Sequence, residues 1–461
     1  MMVNGYFIKP GADLSRAILS EADLAGENLT GAVLTGAHLY EANLRSTNLS
    51  GADLRYADLR YANLYGADLT NANLSGADLR CAVLVEAKLT GVNLIDADLF
   101  GTELEGAYLT RTDLIRAKLI RANLNVVKVH GYTIEPGADL SGANLSGANL
   151  FSADLNHANF FRANLTAAKL SGTDLTGTSF IRADLNHTKL IGADLTGADL
   201  TGTDLTGADL NCADLTGADL TGADLTGAKL TDADLENAKL IRANLTGANL
   251  NNANLIGADL TGVNLSDAEL CAANLTGSKL IRAYLNGVSL ISANLTNANL
   301  SGAEIKFSNL EKADLTGANL SHVYMFQVGL SEANLSRAEL WMTYLSGVDL
   351  SHADLTGAFL CNIFLIESAL DDANLTGADL TDANLPNRID MSGANLFGAN
   401  LKRADLQGAN LTGVNLRDAD LQGADLTDAN LAGADLTDAD LTNAILTGAK
   451  MPEGWELVSD E

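Results

Sequence analysis

A leucine or its equivalent returns at every fifth position along nearly the whole chain. It does so in runs of 23 units from Leu14 to Leu124, 50 from Leu140 to Leu385 and 13 from Met391 to Met451, 86 in all, or 430 of the 461 residues. Within the second run only Phe160, Phe180, Ile305 and Met325 replace leucine. Each unit approximates A-(D/N)-L-(S/T)-G, as in GADLTGTDLTGADLNCADL from Gly197 to Leu215. A period of five steps an α-helix by roughly 140° per leucine, so no helical face stays apolar. A flat strand fails as well, because an odd period sends alternate leucines to opposite faces. The chain must turn once per unit. Alanine and leucine then point inward, Asp/Asn points outward, and Ser/Thr with Gly form the corner. Stacked coils satisfy the backbone through parallel ladders ~4.8 Å apart.

This pattern resembles the pentapeptide-repeat family over about 93 % of the chain. The resemblance implies an all-β, right-handed, four-sided parallel β-helix with four units per coil. It implies about 21 coils, a rod roughly 100 Å long and stacking of residues 20 apart. The narrow interior accounts for alanine at the second inward slot, where larger side chains would overpack. Glu27 breaks that rule near the amino end.

All four prolines, Pro10, Pro136, Pro386 and Pro452, fall at ends or phase slips, where a residue without an amide proton does least harm to a ladder. GYFIKPGADL at Gly5–Leu14 returns as GYTIEPGADL at Gly131–Leu140, a reused amino-terminal cap. The expected divisions are a cap over 1–11, arrays over 12–129, 138–385 and 392–451, a cap-like motif or bulge at 130–137, an insertion at 386–391 and a tail at 452–461. Val127, Val129, Tyr132 and Ile134 still fit the Ala/Leu slots of the first register, which favours one continuous coil through the bulge; a joint between two rods is the alternative. Trp455 is expected over the last open coil.

Little in the sequence suggests catalysis, since a convex surface rarely brings polar side chains together in a cleft. His157 and His187 are one and a half coils apart, as are His322 and His352, so no metal set and no cofactor are expected. The cysteines, Cys81, Cys212, Cys271 and Cys361, do not pair by spacing. With no signal-like or membrane-spanning apolar stretch, a cytoplasmic, bacterial-type protein without membrane insertion is expected.

The net charge of -29 argues against direct binding of nucleic acid, which needs the opposite sign. Acidic residues concentrate after residue 137, densest in a belt of Asp194, Asp199, Asp204, Asp209, Asp214, Asp219 and Asp224. Pentapeptide-repeat members that protect DNA gyrase imitate duplex DNA with an acidic rod, so the resemblance implies a second function: sequestering a DNA-binding protein such as a type II topoisomerase. Magnitude weighs against it. Duplex DNA carries one charge per ~1.7 Å, whereas the -25 after residue 137 spreads over ~76 Å, roughly one per 3 Å.

Departures from the repeat are more informative. At 20-residue intervals one outward slot reads Tyr284, Glu304, Tyr324, Tyr344, Phe364, with Phe307, Phe326, Trp341, Phe359 and Ile366 outward or at corners nearby. Aromatic side chains at positions meant for Asn, Ser and Gly mark a contact surface, or rings that merely stack on one another. A basic-apolar corner stripe joins Phe161-Arg162, Ile181-Arg182, Ile241-Arg242 and Ile281-Arg282, flanked by Lys239 and Lys279, and Tyr40, Arg45, Arg55, Tyr56, Arg60, Tyr61, Tyr65 and Arg80 form a third mixed patch. The expectation is a non-enzymatic scaffold that binds an unidentified protein through Tyr284, Phe307, Tyr324, Phe326, Trp341, Tyr344, Phe359 and Phe364, with self-association as a further use of the surface.

Overall fold

Each Leu–Ser/Thr–Gly corner is a tight turn whose third residue has positive φ, whether glycine or not. Arg16 at φ 56° is typical, and the Ala17 amide closes the turn onto the Leu14 carbonyl at 3.0 Å. That is the geometry of a type II turn. Between corners the outward residue bridges in parallel to the residue one coil away: the Val33 amide donates to the Ala12 carbonyl at 2.9 Å, and Leu14 donates to the Val33 carbonyl at 2.7 Å. The same bridge recurs every 20 residues, and every 21 across the insertion, as between Ala369 and Asp390. Turn and bridge together build a right-angled coil with Ala and Leu sealed inside.

The computed structural model describes residues 1–104, 106–108, 127–129, 132–385 and 389–455. The leucines from Leu109 to Leu124, His130, Gly131, Pro386 and the tail beyond residue 455 lie outside them. The described residues contain no helix and form a β-solenoid in two compact units, Met1–Asp214 and Leu215–Glu461.

In the first unit, β1 (Met2–Val3) pairs antiparallel with β2 (Tyr6–Phe7), and β3 (Val127–Val129) pairs antiparallel with β4 (Tyr132–Ile134). The two hairpins share one register: Val3 faces Tyr6 as Val129 faces Tyr132. Tyr6 Oη accepts the Ile18 amide and Tyr132 Oη the Asn144 amide, both at 3.4 Å, and Ile8 and Ile134 are both buried. The repeated motif therefore forms a second hairpin of the same register as the first. Residues 127–129 and 132–134, which fit the inward slots of the first register, pair antiparallel with one another.

Inward slots that lack alanine are filled in keeping with their polarity. Thr47, Thr102, Thr173, Thr188 and Thr203 are buried, and each hydroxyl donates to the carbonyl of the residue 23 positions earlier at 2.7–3.0 Å. Glu27 is only half-buried. Phe160 and Phe180 stack in the core with centroids 4.7 Å apart.

The second unit contains the chain's longer parallel strands, β5 (Tyr284–Asn286), β6 (Glu304–Lys306), β7 (Tyr324–Phe326), β8 (Tyr344–Ser346) and β9 (Phe364–Ile366), paired in that order into one five-stranded sheet. Here Val288, Ser308, Val328, Val348 and Ser368 replace alanine after the corner, and Val323, Thr343 and Ile363 precede the strands. β-branched and aromatic residues favour extended backbone. The turn is reorganised accordingly: the Val288 and Val348 amides donate to the hydroxyls of Ser308 and Ser368 in the next coil, each at 3.1 Å.

Candidate protein-contact site

The sheet β5–β9 sets the aromatic side chains in rows. Tyr324 and Tyr344 stack with centroids 5.4 Å apart and planes 11° apart, and Tyr344 and Phe364 follow at 6.5 Å and 29°. Tyr284 lies at the foot of the column, separated from Tyr324 by Glu304. Beyond one corner Phe307 packs edge-on against Phe326 at 5.4 Å; around the other, Trp341 meets His322 edge-on at 4.6 Å. Phe359 lies on the face adjoining Trp341, bridged between Glu339 and Asp379. Exposure runs from 37 % for Trp341 to 62 % for Phe307, with Phe326 alone half-buried. Lys306, ion-paired with Glu304, places its ammonium 5.3 Å from the Tyr324 ring centre.

Between Trp341 and Phe359 lies a shallow pocket of about 430 Å³, completed by Glu339, Met342, Cys361 and Asn362. Sequence reasoning missed these four. The signal was present, because 339 stacks under 359, 341 under 361 and 342 under 362. Burial, with help from Asp379, pushes the Cys361 thiol up to about 11, so it stays protonated and neutral at physiological pH. Asp379 is held below the ordinary carboxylate range by the Thr381 and Cys361 hydrogen bonds, against an opposing effect of burial.

Of the acidic belt, Asp194, Asp199, Asp204, Asp209 and Asp214 lie in the first unit and Asp219 and Asp224 in the second. In the first unit Asp194, Asp199, Asp204 and Asp209 occupy four successive faces, and within the belt only Asp194 and Asp214 stack. In the same unit Asp154, Asp174, Asp194 and Asp214 stack in one column and Asp184 stacks with Asp204 in another. The amides of Thr196, Thr201 and Thr206 donate to Asp194, Asp199 and Asp204 at 2.9–3.0 Å. In the second unit Thr221 and Thr226 brace Asp219 and Asp224 in the same way, and Lys239 pairs with Asp219 at 3.4 Å.

In the basic stripe, Lys279 pairs with Asp259 at 3.4 Å, Arg162 covers its neighbour Phe161, and Arg242 borders a polar groove with Asn264, Tyr284 and Asn286. Arg55, Arg60 and Arg80 of the amino-terminal patch are each bound bidentately by Asp53, Asp58 and Asp78. The structure differs from the spacing argument on one histidine: His352, Asp371 and Asp372 have ligand atoms within 4.8 Å of one another, because 352 and 372 stack at one corner. Trp455 is half-buried, with its amide on the Pro452 carbonyl at 3.3 Å. No helix among the described residues is long and apolar enough to cross a membrane.

Stacked five-residue units closed by positive-φ corners define a β-solenoid repeat protein. The family model for pentapeptide repeats (8 copies) matches across residues 12–125 and 137–452. The chain belongs to the pentapeptide-repeat family. It is similar to HetL, a pentapeptide repeat protein involved in heterocyst differentiation regulation from the cyanobacterium Nostoc sp. strain PCC 7120, at 36 % identity over 54 % of this chain and 90 % of that one, with a TM-score of 0.19. Rfr23 from the cyanobacterium Cyanothece 51142 is 29 % identical over 24 % of this chain and 63 % of its own, with a TM-score of 0.16. QnrB1, a plasmid-mediated fluoroquinolone resistance protein, is 19 % identical over 47 % and 92 % respectively, with a TM-score of 0.20. No curated protein sequence matches the chain significantly.

Proposed function

We propose that this protein is a non-enzymatic scaffold that binds a partner protein through the aromatic surface of β5–β9 and its flanking corner. The observation that carries the reading is the exposure of Tyr284, Tyr324, Trp341, Tyr344, Phe359 and Phe364 within a few neighbouring coils. Large rings left in water at slots that elsewhere hold Asn or Ser are the residues that anchor interfaces. Four free cysteines are in keeping with a reducing, cytoplasmic setting.

Duplex mimicry is the weaker reading. The charge after residue 137, roughly one per 3 Å, is about half as dense as that of duplex DNA, and Asp194, Asp199 and Asp204 each give an oxygen to a corner amide. Salt separates the two: a belt contact weakens steeply with ionic strength, and a ring-dominated contact changes little. The test compares a recovered partner's affinity for the wild type and for the Trp341→Ser/Tyr344→Asn variant at low and high salt. We expect a loss of about thirtyfold or more in the variant. Wild-type affinity in that variant, together with a steep salt dependence, would transfer the function to the belt.

A further inference from the structure

The pocket beside Trp341 combines aromatic walls with a carboxylate. Its walls are apolar and aromatic, Trp341, Met342 and Phe359, yet Glu339 lines it and Asp379 stands on the far side of Phe359. Each carboxylate is one coil from the Phe359 ring, ~4.8 Å along the stack. Among the described residues neither takes part in an ion pair, although other acids of this unit do: Glu304 has Lys306, Glu311 has Lys312 and Asp382 has Arg403. Arg337, the nearest base in sequence, leaves Glu339 unpaired. Aromatic faces attract cations, Trp most strongly, and a carboxylate nearby can add a charge-assisted hydrogen bond to the same cation. The molecule already contains such an arrangement of its own, Lys306 lying over Tyr324 while held by Glu304. The pocket likewise sets a carboxylate, Glu339, beside the rings of Trp341 and Phe359. Its volume of about 430 Å³ admits one long side chain, and a planar guanidinium can stack on a ring while its edge meets a carboxylate.

We propose that the Trp341–Phe359 pocket is a docking site for an arginine side chain presented by a basic segment of the partner, an inference that rests on the aromatic surface being the contact site. The occupant is chosen by charge complementarity: the second unit carries 33 acidic and 13 basic residues, Glu339 lines the pocket, and Asp379 stands one coil beyond Phe359. The experiment uses the full chain with Trp455→Phe, leaving Trp341 as the one tryptophan, and titrates it with a tetra-arginine peptide and with its neutral tetra-citrulline counterpart. Trp341 fluorescence should change saturably with the arginine peptide and not with citrulline. Glu339→Gln/Asp379→Asn should weaken the arginine response about tenfold, while Asp199→Asn/Asp209→Asn leaves it unchanged. No Trp341 response, an equal response to citrulline, or indifference to Glu339→Gln/Asp379→Asn overturns the inference. The two proposals fail separately. A partner protein released by Trp341→Ser/Tyr344→Asn but held normally by Glu339→Gln/Asp379→Asn preserves the aromatic contact and removes the arginine; a partner held by both variants removes both.

Discussion

Aspartate at the outward slot accepts the amide two residues on, and asparagine does the same where it occurs, as Asn254 does for Ile256 at 3.2 Å. The charge is therefore dispensable to the fold while the oxygen is not. Asp199→Asn should leave the urea midpoint unchanged, whereas Asp199→Ala should lower stability by about 1 kcal/mol through the lost bond; equal losses would show that the charge itself stabilises. Inside, Phe160→Ala removes one of two stacked, fully buried rings and should cost about 3–5 kcal/mol, a loss that a melting curve would show plainly. The inward and outward slots were legible from the period of five. The threonine bonds at Thr47 or Thr203 were not, because they join residues 23 apart and depend on how coils lie over one another.

The two hairpins and the sheet β5–β9 are where local sequence overrides the repeat. The cap duplication was visible as ten near-identical residues, but Val127 to Ile134 also satisfied the inward pattern, and periodicity alone had no means of choosing between coil and hairpin. A chain starting at residue 127 should melt cooperatively because β3 and β4 cover its first coil, while one starting at residue 139 exposes Leu140 and its neighbours and should melt earlier or aggregate. Identical melting of the two would deny the hairpin a capping role. In β5–β9 the aromatic column was legible from 20-residue spacing. The longer strands were not, since they follow from Val and Ser in alanine slots acting together with the rings. Stacking of Tyr324, Tyr344 and Phe364 contributes roughly 0.2–1 kcal/mol per pair, so the Trp341→Ser/Tyr344→Asn variant should remain folded, with only a small fall in melting temperature.

For the molecule as a whole, the net charge of -29 invites an expectation of gain in acid, as repulsion is relieved. The aspartates with resolved shifts argue the other way. Asp53 and Asp58, bound by Arg55 and Arg60, and Asp13, Asp139, Asp390 and Asp440, bound by hydroxyls and amides, are all held below the ordinary carboxylate range. A depressed folded value means that the unfolded chain takes up protons first. Their contribution is complete above the unfolded value near 3.8 and is lost as pH falls through the folded values. Stability should be level between about pH 5 and 7 and decline below about pH 4; a urea midpoint that rises on acidification would show that relief of repulsion dominates.

Two cysteines make the contact claim directly measurable, because Cys361 lines the aromatic pocket while Cys212 sits between Asp209 and Asp214 in the acidic belt. Thiol labelling of each, compared with its own rate in the free protein at one alkaline pH that ionises a useful fraction of Cys361, reports which surface a bound partner covers. The account predicts that partner binding slows labelling of Cys361 several-fold and leaves Cys212 unchanged. Protection of Cys212 with Cys361 labelled at its free rate would contradict it and place the contact on the belt.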